Sequence, residues 1–342
     1  MMTNEEIRAE RAKRTGRARD IADAMGISEA ELVAAEVGRG VVPIHAHPDT
    51  LIPALEPLGL CMALTRNQAC VIEKDGKYAD FHPGDHASMT LDAGIDLRMF
   101  PKHWVHGFAI EEETKSGLRR SVQVFDAAGD AIHKAYLRES ANLDAWAKLK
   151  ADIALGDTPD RLTVAERTPP EGAKIVPEKR DILLKEWKRL TDTHQFVRLC
   201  AKLKMNRLGA YRLAGAPFVE PKSPGSVDAL FEGLRDSGIA VMIFVGNRGC
   251  IEIHTGPLET IKPMGPWQNV LDPGFNLHLR RDLIKEVWAV EKPTKNGPVL
   301  SVETFDADGT LIFQIFGVSK PGADTRAPFA EVVAAMLEEE HA

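Results

Sequence analysis

The sequence repeats itself at an offset of 180 residues, and this duplication limits the fold more than any other feature. Residues 91–136 match residues 271–316 at 16 positions without a gap. Upstream, Asn67 matches Asn247 at the same offset. A period this long lies well outside the roughly 20–50 residues of solenoid repeats. The sequence therefore predicts two copies of one domain, each with a similar core.

Both copies show the same order of predicted elements. Helical patterns come first, over residues 4–37 and 179–215, and strand patterns joined by tight turns follow them. Each copy closes with a helix, near 142–154 and 327–340. Consecutive strands joined by short turns pair antiparallel. We therefore expect an α+β fold with two similar domains, each holding a large antiparallel β-sheet and flanking helices.

The domain boundaries follow from the repeat and from a change in composition. We expect a first repeat over residues 1–155 and a second repeat over residues 178–342. The intervening residues 156–177 are rich in proline and charge, which is typical of a linker.

Composition and charge exclude several classes of protein. A hydrophobic content of 44% and a charged content of 27% are those of a globular protein. The net charge of −7 argues against nucleic acid as the main partner. The N-terminus lacks the pattern of a signal peptide, and the apolar run Ile239–Val245 is too short to span a membrane. The four cysteines form no CxxC pair. We expect a cytoplasmic protein without membrane insertion.

An imidazole opens a basic segment in the second copy. His194 follows Thr191-Asp192-Thr193, and no acidic residue occurs from there until Glu220. Five cations lie between them: Arg198, Lys202, Lys204, Arg207 and Arg212. Neutral imidazole is a common axial ligand of haem iron, and guanidinium and ammonium groups pair with carboxylates. The segment suits a ligand with a metal centre and anionic arms. It is equally typical of a surface helix with a solvated basic face.

The two copies differ at the positions where a site is most expected. His194 aligns near Arg17, so this imidazole occurs in the second copy alone. Arg98 aligns with His278, and Phe100 aligns with Arg280. These differences predict one site with contributions from both copies rather than two equivalent sites.

Three motifs resemble those of the bacterial HemS/ChuS/PhuS family of cytoplasmic haem-trafficking and haemin-degrading proteins. Asp192-Thr-His-Gln-Phe196 is followed by Arg207 eleven residues after Phe196, and the first copy carries Asp96-Leu-Arg-Met-Phe100. Near the end lies Phe313-Gln-Ile-Phe-Gly317. The resemblance spans nearly the whole chain, including the duplication.

The resemblance implies a haem b site between the two copies. It implies that His194 is the proximal ligand to the iron and that Arg98 acts at the distal face, where it would be the catalytic residue of a degrading enzyme. Phe100 would wall the distal pocket, and Arg207 would pair with a propionate. The structural alternatives are a strand-edge Arg98, a core Phe100 and an Arg207 that serves as a helix C-terminal cation.

Two further residues and one departure follow from the same resemblance. Lys292 and Gln314 would line the cleft, although solvated surface positions are the alternative for both. Family members often carry a basic residue shortly after Phe-Gly, where this chain has Ser319 followed by Lys320. A lysine there would give a single-point contact in place of a bidentate one.

A competing site is a mononuclear, non-haem metal centre. His45 and His47 would share one face of a strand, with His82, Asp85 and His86 as further ligands. Loop histidines beside prolines are the plainer interpretation. The chain has no Gly-rich nucleotide loop, no GxSxG and no HExxH motif, so nucleotide-dependent chemistry has no support.

Two functions from different classes therefore remain. The first is a haem-binding protein that accepts imported haem from an importer and passes it to a haem oxygenase or another acceptor. The second is an enzyme that opens the porphyrin and frees iron, which would need an external reductant because the sequence carries no electron-donor domain.

Overall fold

The computed structural model describes residues 2–156, 161–320 and 322–339. These residues form two units, each built mainly from one repeat. The first unit contains the chain up to Arg66, Ile72–Thr168 and Gly246–Glu252. The second contains Asn67–Val71, Pro169–Val245 and the chain from Ile253 onward. Each unit therefore includes a short hairpin segment from the other repeat.

The first unit combines five α-helices with nine strands in its described part. The helices are α1 Asn4–Arg11, α2 Ala18–Met25, α3 Glu29–Ala34, α4 Pro48–Leu55 and α5 Leu143–Asp152. The strands are β1 Val41–Ile44, β2 Cys61–Arg66, β3 Cys70–Gly76, β4 Phe81–His82, β5 Ser88–Leu91, β6 Asp96–Met99, β7 His106–Thr114, β8 Gly117–Phe125 and β9 Ala131–Leu137. Six strands run in the order β1-β7-β8-β9-β2-β3, and β4-β5-β6 form a separate run. The strand pairs β1–β7, β2–β9, β4–β5, β5–β6, β7–β8 and β8–β9 are antiparallel.

The helix boundaries of the first unit follow from local capping chemistry. Ser28 accepts a hydrogen bond from the Glu31 amide, and Glu31 returns one to the Ser28 amide, which is a capping box at the start of α3. Gly26 ends α2 in the left-handed conformation with φ +67°. Gly26 and Ser28 therefore divide the helical region predicted over residues 4–37 between α2 and α3.

The second unit has the same plan. Its helices are α6 Arg180–Trp187, α7 Gln195–Lys202, α8 Arg207–Ala214, α9 Ser226–Ser237 and α10 Arg326–Glu339. Its strands are β10 Val219–Lys222, β11 Val241–Gly246, β12 Cys250–Gly256, β13 Ile261–Met264, β14 Trp267–Asp272, β15 Phe275–Arg280, β16 Glu286–Lys292, β17 Val299–Phe305 and β18 Leu311–Gly317. The last residue of β11 and the residues of β12 up to Glu252 belong to the hairpin segment of the first unit. The strand order β10-β16-β17-β18-β11-β12 repeats that of the first unit, and β13-β14-β15 repeat β4-β5-β6.

The six-stranded run of the second unit is packed differently on its two faces. On one face, Phe313 of β18 meets Phe231 of α9 edge to face, with the ring centroids 6.0 Å apart. On the other face, α6, α7 and α8 bury an aromatic cluster against β16 and β17. The cluster contains Trp187, Phe196, Tyr211, Phe218 and Phe305. Side chains alternate between faces along a strand, so Gln314 lies on the face opposite Phe313.

The predicted fold class is confirmed. The two units share one sequence of elements, with a large antiparallel sheet and flanking helices in each. Tight turns join β8 to β9 at residues 126–129 and β17 to β18 at residues 306–309, and Gly129 and Gly309 have φ values of +81° and +78°. The helices α4 and α9 were not predicted from the sequence. Among the described residues, no helix has both the length and the apolar content needed to cross a membrane.

The described part of the predicted linker is held against the units by hydrogen bonds. The Ala165 amide donates to the Ala127 carbonyl at 2.7 Å, and Arg167 pairs with Asp130 in a bidentate manner. On the other side of the division, the Lys174 amide donates to Asn206 Oδ1 at 3.0 Å. Residues 157–160 of the linker, and residue 340 of the predicted last helix, lie outside the described residues.

Candidate ligand site in the second unit

His194 stands at the start of α7 with its side chain in solvent. The side chain is 93% exposed. Asp192 Oδ1 accepts hydrogen bonds from the His194 amide at 2.8 Å and from its Nδ1 at 2.7 Å. Gln195 braces the same turn, because its amide group bonds both the Thr191 amide and the Thr191 hydroxyl at 3.0 Å. The loop therefore presents the imidazole in a defined orientation.

The contact with Asp192 determines which ring nitrogen of a neutral His194 carries the proton. Hydrogen bonds from the His194 amide and then from its ring hold the pKa of Asp192 below its usual value, so the carboxylate stays ionised. A carboxylate that accepts from Nδ1–H leaves Nε2 with its lone pair. A histidine that ligates a metal commonly has this arrangement.

A network of buried charges lies behind α7. Glu303 Oε2 accepts from Arg207 Nη1 at 2.8 Å, and Glu303 Oε1 accepts from Lys292 Nζ at 2.7 Å. The Tyr211 hydroxyl accepts from Lys292 at 3.1 Å and from Arg207 at 3.3 Å. Ser301 donates to Glu303 at 2.9 Å. The three charged side chains leave the network with a net charge of +1.

Two opposing effects set the pKa of Glu303 in this network. Burial alone would raise the pKa of Glu303. The charges of Lys292 and Arg207 and their hydrogen bonds outweigh that effect, and the pKa of Glu303 lies well below its usual value. The carboxylate is therefore ionised throughout the physiological range. Burial also raises the pKa of the neighbouring Cys200 thiol to about 11, so Cys200 is a packed, neutral side chain.

Two contacts connect the His194 loop to the charged network. Phe196, two residues after His194, has its ring 5.2 Å below the Lys292 ammonium. The Thr191 carbonyl accepts from the Lys295 amide at 3.0 Å, just beyond the end of β16. The exposed imidazole, the buried Lys292 ammonium and the partly exposed Arg207 guanidinium thus belong to one connected part of the second unit.

Half-buried apolar side chains continue the same sheet face. Gln314 pairs in register with Glu303 on β17 and with Phe244 on β11. Phe244 and Phe316 contact each other edge to face with centroids 5.2 Å apart, and both are only partly buried. A partly exposed aromatic surface beside an amide and cations suits an apolar ligand with polar edges.

The remaining predicted residues lie on β6, just after β6 and just after β18. In the first unit, Arg98 lies on β6, where its Nη1 donates to the Asp96 carboxylate and to the Leu97 carbonyl at 2.9 Å. Phe100 is half buried, and its amide donates to the Gly249 carbonyl at 2.8 Å. In the second unit Lys320 and Ser319 are exposed after the end of β18.

The proposed non-haem metal site is not assembled. Within the described residues, no group of three or more His, Cys, Asp or Glu side chains is arranged to hold a metal ion. The His47 ring instead caps α4 by accepting from the Asp49 amide at 3.3 Å, and His82 pairs with Asp80 at 2.9 Å. The interpretation of His45 and His47 as a metal centre with His82, His86 and Asp85 was therefore wrong.

Fold and site together define a duplicated α+β protein that presents one imidazole beside buried cations and an aromatic surface. A family model described as "Haemin-degrading HemS.ChuX domain" matches residues 26–153 and 204–336, once in each repeat. The chain belongs to this HemS/ChuX family.

Similar proteins agree with that assignment over nearly their full lengths. The chain is 37% identical to "Hemin transport protein HmuS" of Yersinia pestis over 94% of its length and 92% of the relative. Holo-PhuS, a heme-binding protein from Pseudomonas aeruginosa, has a TM-score of 0.89 and 42% identity, with 96% and 95% coverage of the two chains. ChuS, an E. coli heme oxygenase, has a TM-score of 0.87 and 32% identity, with 96% and 98% coverage.

Sequence reasoning did not single out Glu303, Tyr211 or Phe244. A glutamate and a phenylalanine on strands have no local pattern that separates a site from a sheet surface or a core. One signal was available for Glu303, because the first copy carries Gln123 at the equivalent position.

Proposed function

We propose that this protein binds haem b and carries it within the cytoplasm. The observation that supports this most directly is the exposed His194 imidazole, whose Nδ1 is held by Asp192 so that Nε2 is available to iron. Membership of the HemS/ChuX family and the likeness to a heme-binding protein support the same ligand.

The neighbouring residues fit the other parts of a haem molecule. We assign Arg207 to a propionate, because its side chain is 26% exposed beside the buried network. Lys292 and Gln314 support that side of the site, and Phe244 and Phe316 offer apolar surface for the porphyrin ring. Arg98 and Phe100 stay our candidates for the distal side, with Arg98 as the residue that acts on the sixth position of the iron.

As a carrier, the protein would take imported haem from an importer and release it to a haem oxygenase or another acceptor. A single histidine ligand is consistent with transfer, since exchange then requires the replacement of one protein–iron bond. The experiment is to load the protein with haemin and mix it with an apo-acceptor such as apomyoglobin. Appearance of the acceptor's spectrum faster than haem escapes to a non-specific competitor, serum albumin, supports delivery. Equal rates contradict it.

A second function, degradation of haem, is favoured by the likeness to a heme oxygenase. The bound haem would supply the oxygen chemistry, and Arg98 would donate hydrogen bonds on its distal side. Haem-loaded protein under air with ascorbate and catalase distinguishes the functions. Soret loss with iron release in the presence of catalase supports an enzyme, whereas a stable Soret band favours a carrier alone.

A further inference from the structure

Arg207 uses only part of its hydrogen-bonding capacity inside the protein. Its Nη1 donates to Glu303 and Tyr211, while Nε and Nη2 donate to none of the described residues. The side chain is 26% exposed. A guanidinium group has five N–H donors in a fixed plane, so fixing one nitrogen orients the rest. The free edge of Arg207 can therefore accept one carboxylate in a bidentate manner.

Lys292 is in a different position. Its side chain is 4% exposed, and its ammonium donates to Glu303 and Tyr211. The ammonium also lies 5.2 Å from the ring centroid of Phe196 and 5.4 Å from that of Tyr211. The three N–H donors of the Lys292 ammonium are directed at two oxygens and enclosed by two aromatic faces. The ammonium therefore has little hydrogen-bonding capacity left for an external anion. Lys292 is thus a cation that the protein satisfies internally.

Glu303 joins these two cations. Its side chain is fully buried and accepts from Arg207, Lys292 and Ser301 through both carboxylate oxygens. A buried carboxylate with three donors is held tightly, and removal of one partner of such a pair leaves an uncompensated charge. The position of the Arg207 guanidinium therefore depends on Glu303.

The first repeat shows that the fold itself does not require this network. The positions of Glu303 and Lys292 are occupied there by Gln123 and Glu112. Gln123 lies on the equivalent strand and, among the residues that the structure describes, donates only to Ser121, at 3.2 Å. The first copy folds with the amide side chain of Gln123 at this position. The sheet therefore does not require a carboxylate there, and Glu303 has a role other than stabilising the sheet.

We propose that Glu303 is a positioning residue that sets selectivity for a carboxylate-bearing ligand. It fixes Arg207 so that the free guanidinium edge meets one ligand carboxylate, and Lys292 acts through Glu303 rather than on the ligand. This inference rests on the proposed function, since the carboxylate would be a haem propionate. The net charge of +1 matches a single carboxylate.

The test compares haemin with haemin dimethyl ester, which lacks both carboxylates and keeps the ring and the iron. The native protein should bind haemin about tenfold or more tightly than the ester. Glu303→Gln should reduce this ratio to near one without moving the Soret maximum, because the iron ligand is untouched. Arg207→Ala should have the same effect, and Glu303→Gln should add nothing in the Arg207→Ala background.

Glu29→Gln is the matched control, since it removes a buried carboxylate that faces Lys134 in the first unit. This variant should keep the native ratio. Glu303→Asp retains the charge but withdraws it by one methylene, so its ratio should be intermediate. This variant also decides the matter where Glu303→Gln fails to fold.

The outcomes separate the two claims. An unchanged or larger ratio in Glu303→Gln or Glu303→Asp, or an additive effect in the Arg207→Ala background, overturns the role of Glu303 and leaves haem binding intact. Failure of the native protein to bind haemin with a histidine-ligated spectrum overturns the proposed function, and the inference about Glu303 with it.

Discussion

Replacement of Glu252 by glutamine should change the pH dependence of stability. Glu252 is fully buried in the first unit, and neither carboxyl oxygen has a hydrogen-bond partner among the described residues. Its Oε2 lies 4.0 Å from His133 Nδ1. His133 bonds the Thr65 hydroxyl at 2.9 Å and the Tyr78 hydroxyl at 2.6 Å, and burial lowers the pKa of His133 to about 3. No positive charge on the imidazole therefore compensates an ionised Glu252.

The sign of the effect follows from proton linkage. Burial raises the pKa of Glu252 from 4.5 to about 8. The unfolded chain therefore releases this proton above pH 4.5, while the folded protein holds it to about pH 8. The folded state binds more protons across that window. Glu252 accordingly lowers stability as the pH rises through it, and the loss levels off above the folded pKa.

The size of the effect follows from the same two pKa values. One pKa unit corresponds to about 1.4 kcal/mol, so Glu252 should lower the free energy of unfolding by about 3 kcal/mol between about pH 5 and about pH 7.5. Glu252→Gln cannot ionise. The stability of this variant should therefore rise relative to the native protein by that amount over the same interval, whatever the fixed cost of a buried amide.

The assay is urea unfolding followed by tryptophan fluorescence, with Trp104 as a local probe because its ring stacks on His133 at 6.0 Å. Profiles are measured for the native protein, Glu252→Gln and the exposed control Glu291→Gln between about pH 5 and about pH 9. The control should run parallel to the native protein. Parallel profiles for Glu252→Gln as well would refute the argument that burial of Glu252 outweighs the charge of Lys74 and raises the pKa of the carboxyl group.

Three further results are expected. Asp192→Asn should keep the histidine-ligated spectrum but weaken haemin binding about tenfold in a spectroscopic titration, because the ring of His194 loses its carboxylate; unchanged affinity would contradict the orienting role of Asp192. Arg98→Ala should retain haem and slow any ascorbate-driven Soret decay on the order of 100-fold with catalase present, and an unchanged rate would remove Arg98 from the distal side. Gly209→Ala should lower the free energy of unfolding by about 1–3 kcal/mol in a urea titration, because its Cβ would lie 1.8 Å from the Lys174 carbonyl oxygen. An unchanged free energy of unfolding would show that the segment around Lys174 shifts to make room for the methyl group.

The duplicated fold was predictable because the repeat, the alternating strand patterns and the turn residues all agree. The helix boundaries were less predictable from the sequence. The pattern over residues 179–215 is one apolar period, yet the structure divides it into α6, α7 and α8. Part of the reason is Lys204, which has φ +61° between α7 and α8. A lysine adopts the left-handed conformation because of tertiary packing, so the local sequence does not predict this break between the helices.

The site was predictable where it rests on local sequence and hidden where it rests on packing. His194 and Arg207 stand out because a histidine heads an acid-free basic segment. The burial of Lys292 could not be read in the same way, since it depends on α7 and α8 covering the end of β16. Glu303 shows the same limit, because a glutamate on a strand reads as a solvated side chain until the two cations that surround it are known.

The spectrum of haemin bound to His194→Ala tests the central claim most directly. The native protein should show a Soret band typical of histidine-ligated haem at one haemin per chain. His194→Ala should shift that band and release haem faster, and added imidazole should restore the native spectrum because it replaces the missing ligand. An unchanged spectrum and unchanged affinity in His194→Ala would contradict the account and direct attention to His254 or His278.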